Sequence, residues 1–226
     1  MSVVGQFDLI SQKYDNQRRF LIPCFDAFYE SAARALRENL PPSRQNIKIL
    51  DLGAGTGLMT QYAYSAFVDR NPSVALLDLS PKMLEIARQR FSGIKNAQFI
   101  EGDFFSFSGK YDVICSALAI HHIENDDKKK LFAKIRGSLE DGGVFVNAEQ
   151  ILGKTPEEIA ANAADRERII REHFIFPAEA ETARERLKLD RCATVEDNIN
   201  WLLEAGFSKA ECVFEHLDFA VICAVK

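Results

Sequence analysis

Long apolar runs are missing from this 226-residue chain, and none approaches the roughly 20 residues needed to cross a bilayer. A helical membrane span is therefore excluded, and no membrane partner is expected. The first nineteen residues lack a basic patch followed by an apolar stretch, so no secretory signal is expected there. An excess of positive charge is missing too. With 28 basic against 33 acidic residues the formal net charge is −5, which speaks against a general nucleic-acid surface but leaves a local basic groove open. Five cysteines (Cys24, Cys115, Cys192, Cys212 and Cys223) are scattered without a CxxC pair. Reduced, mostly buried thiols in a cytoplasmic protein are the expected state. No metal-ligand spacing is visible, so no metal is expected, and internal repeats and low-complexity stretches are absent.

What is present is alternation. Short apolar runs at Ile47–Asp51, Val74–Leu79, Ala97–Glu101, Tyr111–Ser116 and Gly143–Glu149 alternate with helix-period segments, as βαβ units do. Three of these runs are continuously apolar, which fits strands covered on both faces. Ser80-Pro81 is an N-cap with proline at the first helical position, leading into a helix over Lys82–Phe91. The next helix, Asn125–Leu139, stops at Glu140-Asp141-Gly142-Gly143. Two segments stand outside the alternation. Residues 7–40 read as one or two amphipathic helices broken near Pro23. Residues 155–189 follow the fifth strand, start at the capping box Thr155-Pro156-Glu157-Glu158 and break at Pro177. A last helix, Val195–Ala205, precedes the strand-like runs Ala210–Phe214 and Leu217–Val225.

The densest signal is Asp51-Leu52-Gly53-Ala54-Gly55-Thr56-Gly57-Leu58, a strand tip, a sharp turn and a helix start. Glycines there let main-chain N–H groups approach a ligand at a helix N-terminus. A dinucleotide loop, GxGxxG, would place its third glycine at position 58, where this chain has Leu58. Asp78 ends the second strand some twenty residues past the loop, where a carboxylate suits both ribose hydroxyls. In an open α/β sheet ligands sit beyond the carboxyl ends of strands, so the run from Ser116 through His121 and His122 should face the reacting centre.

This GxGxG loop behind Asp51 resembles the first motif of class I S-adenosylmethionine-dependent methyltransferases. Glu101-Gly102-Asp103-Phe104 after the third strand and Leu139–Val146 at the turn into the fifth are similar to later motifs of that family, so the likeness spans roughly residues 47–149. The resemblance implies one domain over residues 1–226 with a doubly wound, mostly parallel seven-stranded sheet of Rossmann-like type. It also implies an N-terminal helical lid (7–40), a helical insertion (155–189) and S-adenosylmethionine as cofactor. The cofactor would meet Asp51, Gly53, Ala54, Gly55, Thr56, Gly57, Asp78, Leu79, Met83, Asp103, Phe104 and Ser116. Asp51 would orient water or the α-ammonium group, Leu79 and Met83 would flank the adenine, and Asp103 would accept from its amino group.

Methyl transfer from a sulfonium depends mostly on in-line positioning and desolvation. A general base is needed only if the acceptor must lose a proton, and His121 and His122 are the candidates. Adjacent histidines on a helix are expected to point different ways. The lid and insertion would supply the acceptor pocket, with Tyr14, Arg18 and Arg19 on one side. Arg166, Arg168, Arg171, Arg184 and Arg186 stand on the other, mostly in exposed i,i+4 pairs with glutamates. A single arginine facing inward would bind a carboxylate. With Gln17-Arg18-Arg19-Phe20-Leu21-Ile22-Pro23 near its start and an arginine-rich helix before Thr194, the chain also resembles, more loosely, the group that modifies the tRNA wobble uridine 5-oxyacetate, including carboxy-S-adenosylmethionine synthase. That likeness puts the synthase's carboxylate-binding arginine at Arg184 or Arg186. A small-molecule O- or N-methyltransferase fits as well, and the acidic balance favours it. A nicotinamide-dependent oxidoreductase and a non-catalytic binding protein are the alternatives from other classes. The acceptor and the oligomeric state are open, and a homodimer is compatible with the sequence.

Overall fold

The computed structural model describes residue 5, residues 14–174 and residues 176–226. In chain order the elements are α1 (Tyr14–Leu21), α2 (Phe25–Asn39), β1 (Lys48–Leu52), α3 (Leu58–Ala66), β2 (Ser73–Asp78), α4 (Pro81–Arg90), β3 (Ala97–Glu101) and β4 (Tyr111–Ala117). They continue as α5 (Asn125–Ser138), β5 (Leu139–Gln150), α6 (Pro156–His173), α7 (Pro177–Leu187), α8 (Val195–Glu204), β6 (Lys209–His216) and β7 (Phe219–Val225). One seven-stranded sheet runs in the order β3-β2-β1-β4-β5-β7-β6. The first five strands are parallel, and β7 joins β5 and β6 antiparallel. The expected doubly wound sheet is thus observed, with its switch point between β1 and β4.

Period-two alternation divides the core. Ile49, Val113 and Val146 pack with Phe28 and Leu36 of α2, Met59 and Ala63 of α3, and Leu84 of α4. Their neighbours Leu50, Ile114 and Phe145 turn to the other face and meet Leu131, Phe132 and Ile135 of α5 and Leu202 of α8. Each such fully buried side chain contributes about 1.5–3 kcal/mol. The caps read from the sequence are formed. Ser80 Oγ accepts from the Met83 amide, and Thr155 Oγ1 accepts from that of Glu158.

Two local expectations are corrected. Strand β5 begins at Leu139, not Gly143, because Leu139 already pairs with Tyr111. A register shift on β4 between Tyr111 and Val113 absorbs the expected Glu-Asp-Gly turn. Leu217 has a positive φ of 53° and belongs to the β6–β7 turn, not to the last strand. In α6 Ile159 is exposed, whereas Ile169 and Ile170, with Phe174 just beyond the helix, are buried.

The helices outside the alternation pack on one another. Ile170, Phe174, Ala180 and Ala183 form a small apolar cluster with Leu21 and Leu187, joining α1, α6 and α7. Phe20 stacks on His173 with ring centroids 4.8 Å apart. The chain breaks between α1 and α2 around Pro23, as read; residues 7–13 of the expected lid lie outside the described residues. Among the described residues no helix is long and apolar enough to cross a membrane.

Candidate active site

All three loop glycines are left-handed, with φ of 68° at Gly53, 55° at Gly55 and 82° at Gly57. Space distinguishes them. A Cβ at Gly53 would stand 2.4 Å from Ala119 Cβ, and one at Gly57 would stand 2.7 Å from the Phe91 ring. At Gly55 it would meet nothing within 4 Å. The outer two glycines therefore let the loop pack, and the middle one leaves room for a ligand. Amides of Gly53 and Ala54 donate to the Leu77 carbonyl at 2.8 and 2.9 Å, fixing the loop to the tip of β2.

Over this loop lies a cavity of about 970 Å³, its open mouth included, lined by Gly53, Gly55, Asp78, Met83, Asp103 and Phe104, with Leu79 also on its wall. Asp78 accepts from the Gly55 amide at 2.7 Å and from the Ser80 amide at 2.8 Å, so its carboxylate is aimed by backbone on both oxygens. Asp103 receives the Phe105 amide at 2.8 Å and the Ser106 hydroxyl at 2.9 Å, both on Oδ1. A nucleoside bearing a thioether or sulfonium arm fits these walls: open space at Gly55, a fixed carboxylate, apolar faces on Met83 and Phe104.

Five residues expected to meet the cofactor do not line this cavity. Asp51 is fully buried beneath the loop, where Oδ2 accepts from Thr60 Oγ1 at 2.5 Å. Burial, aided by the charge of Asp78, pushes its carboxyl up to about 7. Ser116 is buried as well and gives its hydroxyl to the Leu52 carbonyl at 2.7 Å, joining β4 to β1. Thr56 donates to Asp15 of α1 at 2.6 Å, and Asp15 also pairs with Arg90, so the first helix is tied to the glycine loop. Gly57 caps α3, and Ala54 is buried in the core.

Beyond Tyr14 and His122, which line both spaces, a second and narrower chamber opens, with about 60 Å³ of free space. Its walls carry Arg18, Arg166, Arg186, Gln150, His121 and Asp190. The Arg18 guanidinium donates to the Tyr14 hydroxyl. Arg186 approaches only Gln17 Oε1, at 3.4 Å, and its buried Nη1 lacks a hydrogen-bond acceptor among the described residues. Burial and the neighbouring Arg18 charge hold it down, to about 10. Arg184 instead donates to Glu167 at 2.8 and 3.0 Å away from the chamber. Arg166 is matched by Asp218 at 3.3 Å, and Arg19 by Asp26 on the surface. Arg168 forms exposed pairs with Asp165 and Glu172, and Arg171 lies near Glu167.

The two histidines do not diverge as adjacent helical residues would. They sit in a 3₁₀ turn, Ile120–His122, with rings edge-on and centroids 4.0 Å apart. Glu149, at the tip of β5, accepts from the His121 amide at 3.0 Å and faces His121 Nδ1 at 2.5 Å. Burial works against a charged His121 ring, but the carboxylates of Glu149 and Asp190 outweigh it and push the ring up to about 9. His122 is driven the other way, to about 2, by burial and by the positive charges of His121, Arg18 and Arg186. Glu149 and Asp190 carry no sequence signal of their own. Only the fold brings them to the histidines.

Comparisons with known proteins agree with this geometry. The family described as "Methyltransferase domain" matches residues 49–143. A carboxy-S-adenosyl-L-methionine synthase of Wolinella succinogenes is 26% identical over 223 residues, 94% of this chain and 89% of that protein. Malonyl-[acyl-carrier protein] O-methyltransferase 1 of Ilyobacter polytropus is 34% identical over 103 residues, 45% of this chain and 37% of that one. Among solved structures, a putative O-methyltransferase from Nostoc punctiforme superposes with a TM-score of 0.64 at 18% identity. That match covers 97% of this chain, which spans 60% of the Nostoc chain, and it speaks to the fold. With the strand order and the glycine cradle, these likenesses make the chain similar to class I S-adenosylmethionine-dependent methyltransferases, the matched domain lying over residues 49–143.

Proposed function

We propose that this chain transfers the sulfonium methyl group of S-adenosylmethionine to a small acceptor bearing an anionic group, in the cytoplasm. The observation that carries the acceptor class is Arg186: a guanidinium lining the second chamber beside Arg18, with a buried nitrogen that meets no acceptor among the described residues. A carboxylate or phosphate would supply the missing partner, and charge-assisted bonds to guanidinium are strong and directional.

In this reading Asp78 holds the ribose hydroxyls, Met83 and Leu79 flank the adenine, and Asp103 and Phe104 close its far edge. Asp51, Thr56 and Ser116 act from behind by fixing the loop and the strand tips. His121 and His122 form the wall against which the acceptor lies, between the methyl donor and the two arginines. Helix α1 with the α6–α7 pair serves as the lid that excludes water. The chemistry asked of the protein is then alignment of the nucleophile with the sulfur–carbon bond in a dry site.

A second reading has one specific support. Arg184 and Arg186 both lie near the expected place of the carboxylate-binding arginine of carboxy-S-adenosylmethionine synthases, and only Arg186 faces the chamber. The anion would then belong to a modified cofactor. Incubation with methyl-labelled S-adenosylmethionine and a panel of carboxylate-bearing small molecules separates the two. Labelled product with release of S-adenosylhomocysteine supports methyl transfer. A cofactor heavier by a carboxyl group, seen by mass spectrometry, supports the synthase reading. Transfer to tRNA anticodon stems, with none to the small molecules, would overturn the acceptor class.

A further inference from the structure

In the wall between the two spaces, one nitrogen of His121, one of His122 and one carboxylate oxygen of Asp190 all lie within 4.8 Å of one another. Asp190 Oδ1 stands 3.5 Å from His121 Nε2 and 3.4 Å from His122 Nδ1. These separations are long for hydrogen bonds, which centre near 2.9 Å. They match a different geometry: ligand atoms about 2.1 Å from one ion at a tetrahedral angle are roughly 3.4 Å apart.

The groups behind the three are arranged as supports. Glu149 holds His121 through Nδ1 at 2.5 Å and through the backbone amide at 3.0 Å, which leaves Nε2 as the outward nitrogen. Gln150 Nε2 reaches the other oxygen of Asp190 at 3.4 Å. A carboxylate on the far nitrogen of a ligating imidazole fixes its tautomer and raises its basicity. The Arg191 amide donates to the His121 carbonyl at 2.6 Å, so the segment carrying Asp190 is fastened to the histidine turn.

We propose that His121 Nε2, His122 Nδ1 and the Asp190 carboxylate bind one divalent transition-metal ion, with its remaining coordination positions open to the second chamber. Two imidazoles and one carboxylate select a first-row ion such as Zn²⁺, Mn²⁺ or Fe²⁺ over Mg²⁺ or Ca²⁺, which take oxygen ligands. The charges facing the site are Glu149 and Asp190 on one side and Arg18 and Arg186 on the other. The carboxylates offset the ion, and the guanidiniums suit an anionic acceptor that ligates the metal through one atom and an arginine through another. This inference rests on reading the chamber as the acceptor site, and it replaces a proton-accepting role for the histidines with a ligating one.

The test is calorimetric titration of tag-free, chelator-stripped protein with Zn²⁺, Mn²⁺ and Mg²⁺, with S-adenosylmethionine titrated into the same samples. The expected result is one equivalent of Zn²⁺ or Mn²⁺, no competition from Mg²⁺ at equal concentration, and a visible Co²⁺ absorption band. Asp190→Asn and His122→Ala should weaken binding at least tenfold and abolish the band, and Glu149→Gln should weaken it about 10–100-fold. Thermal melts of the stripped variants identify any that fails to fold, and Glu149→Gln then decides. Wild-type protein that takes up no transition metal, or folded variants that bind it unchanged, overturns the proposal. Cofactor binding without metal binding sinks the metal alone. Metal binding without cofactor binding sinks the transferase reading alone.

Discussion

The cofactor cavity and the chamber beside it are walled by different materials. The first is mostly main chain and apolar side chain, drawn from the turns after β1, β2, β3 and β4 with Tyr14 of α1, and Asp78 and Asp103 are its carboxylates. The second is lined by ionisable side chains that arrive separately from α1, α6, α7, the histidine turn and the segment after α7. A backbone cradle is rigid because strand pairing holds it, and it recognises a shape shared across a family. A chamber of converging side chains can be changed one residue at a time. In the proposed reading, cofactor and acceptor sit on opposite sides of Tyr14 and His122.

The sharpest way to break this comparison is inside the cradle. Gly53→Ala should destabilise the fold by about 2–5 kcal/mol, combining about 1–2 for left-handed backbone with about 1–3 for overpacking. Gly55→Ala carries only the backbone part, so its thermal melt should lie well above that of Gly53→Ala while cofactor affinity falls. Equal melts would mean the outer glycine is not a packing position.

Next in size, Asp78→Ala should weaken S-adenosylmethionine binding by about 1–3 kcal/mol in titration. Wild-type affinity would remove Asp78 from the ribose. On the chamber side, Arg186→Met should raise KM for an anionic acceptor about tenfold, roughly 1.4 kcal/mol, with cofactor affinity unchanged. Loss of cofactor affinity instead would favour the carboxylated-cofactor reading.

A smaller effect concerns pH. The Asp51 carboxyl rises from 3.8 to about 7 on folding, so its contribution to stability is complete below about pH 4 and lost as pH climbs through 7. Its slope cannot exceed about 1.4 kcal/mol per pH unit. Denaturant melts of cofactor-free protein should show that slope, and Asp51→Asn should flatten it. The smallest effect belongs to Arg184→Met, whose solvent-screened pair with Glu167 contributes little to stability. A KM change as large as that of Arg186→Met would erase the distinction between the two arginines.

Legibility in the sequence follows the same division. Strands β1, β2 and β4 are legible to within one residue because buried parallel strands are continuous apolar runs; the edge strand β3, AQFIE, is legible to the residue though none of its side chains is fully buried. Asp78 ends β2, and Met83 and Phe104 follow a strand end by a few residues, so their place on the cavity wall is legible from strand positions. Asp51, Thr56 and Ser116 were assigned to the ligand by motif, yet their side chains face Thr60, Asp15 and Leu52. A pattern gives position along the chain and not the direction of a side chain at a strand tip. The His121–Glu149 contact spans 28 residues and Gln150–Asp190 spans 40, with a helix or strand boundary between them each time. No local spacing encodes such encounters. Arg186 and Arg184 look alike in a charged helix, and only the packing of Ala180 and Ala183 shows which side is inward.

Asp15 has a wider consequence. By bridging Thr56 and Arg90 while Tyr14 and Arg18 of the same helix border the chamber, it makes α1 a neighbour of both ligands. A helix ordered once serves two occupants, so whichever arrives first lowers the entropy cost for the other. Linkage makes that benefit mutual and equal in size. Donor and acceptor would then load as a cooperative pair, and Asp15→Ala would uncouple them, seen as cofactor affinity that no longer responds to acceptor.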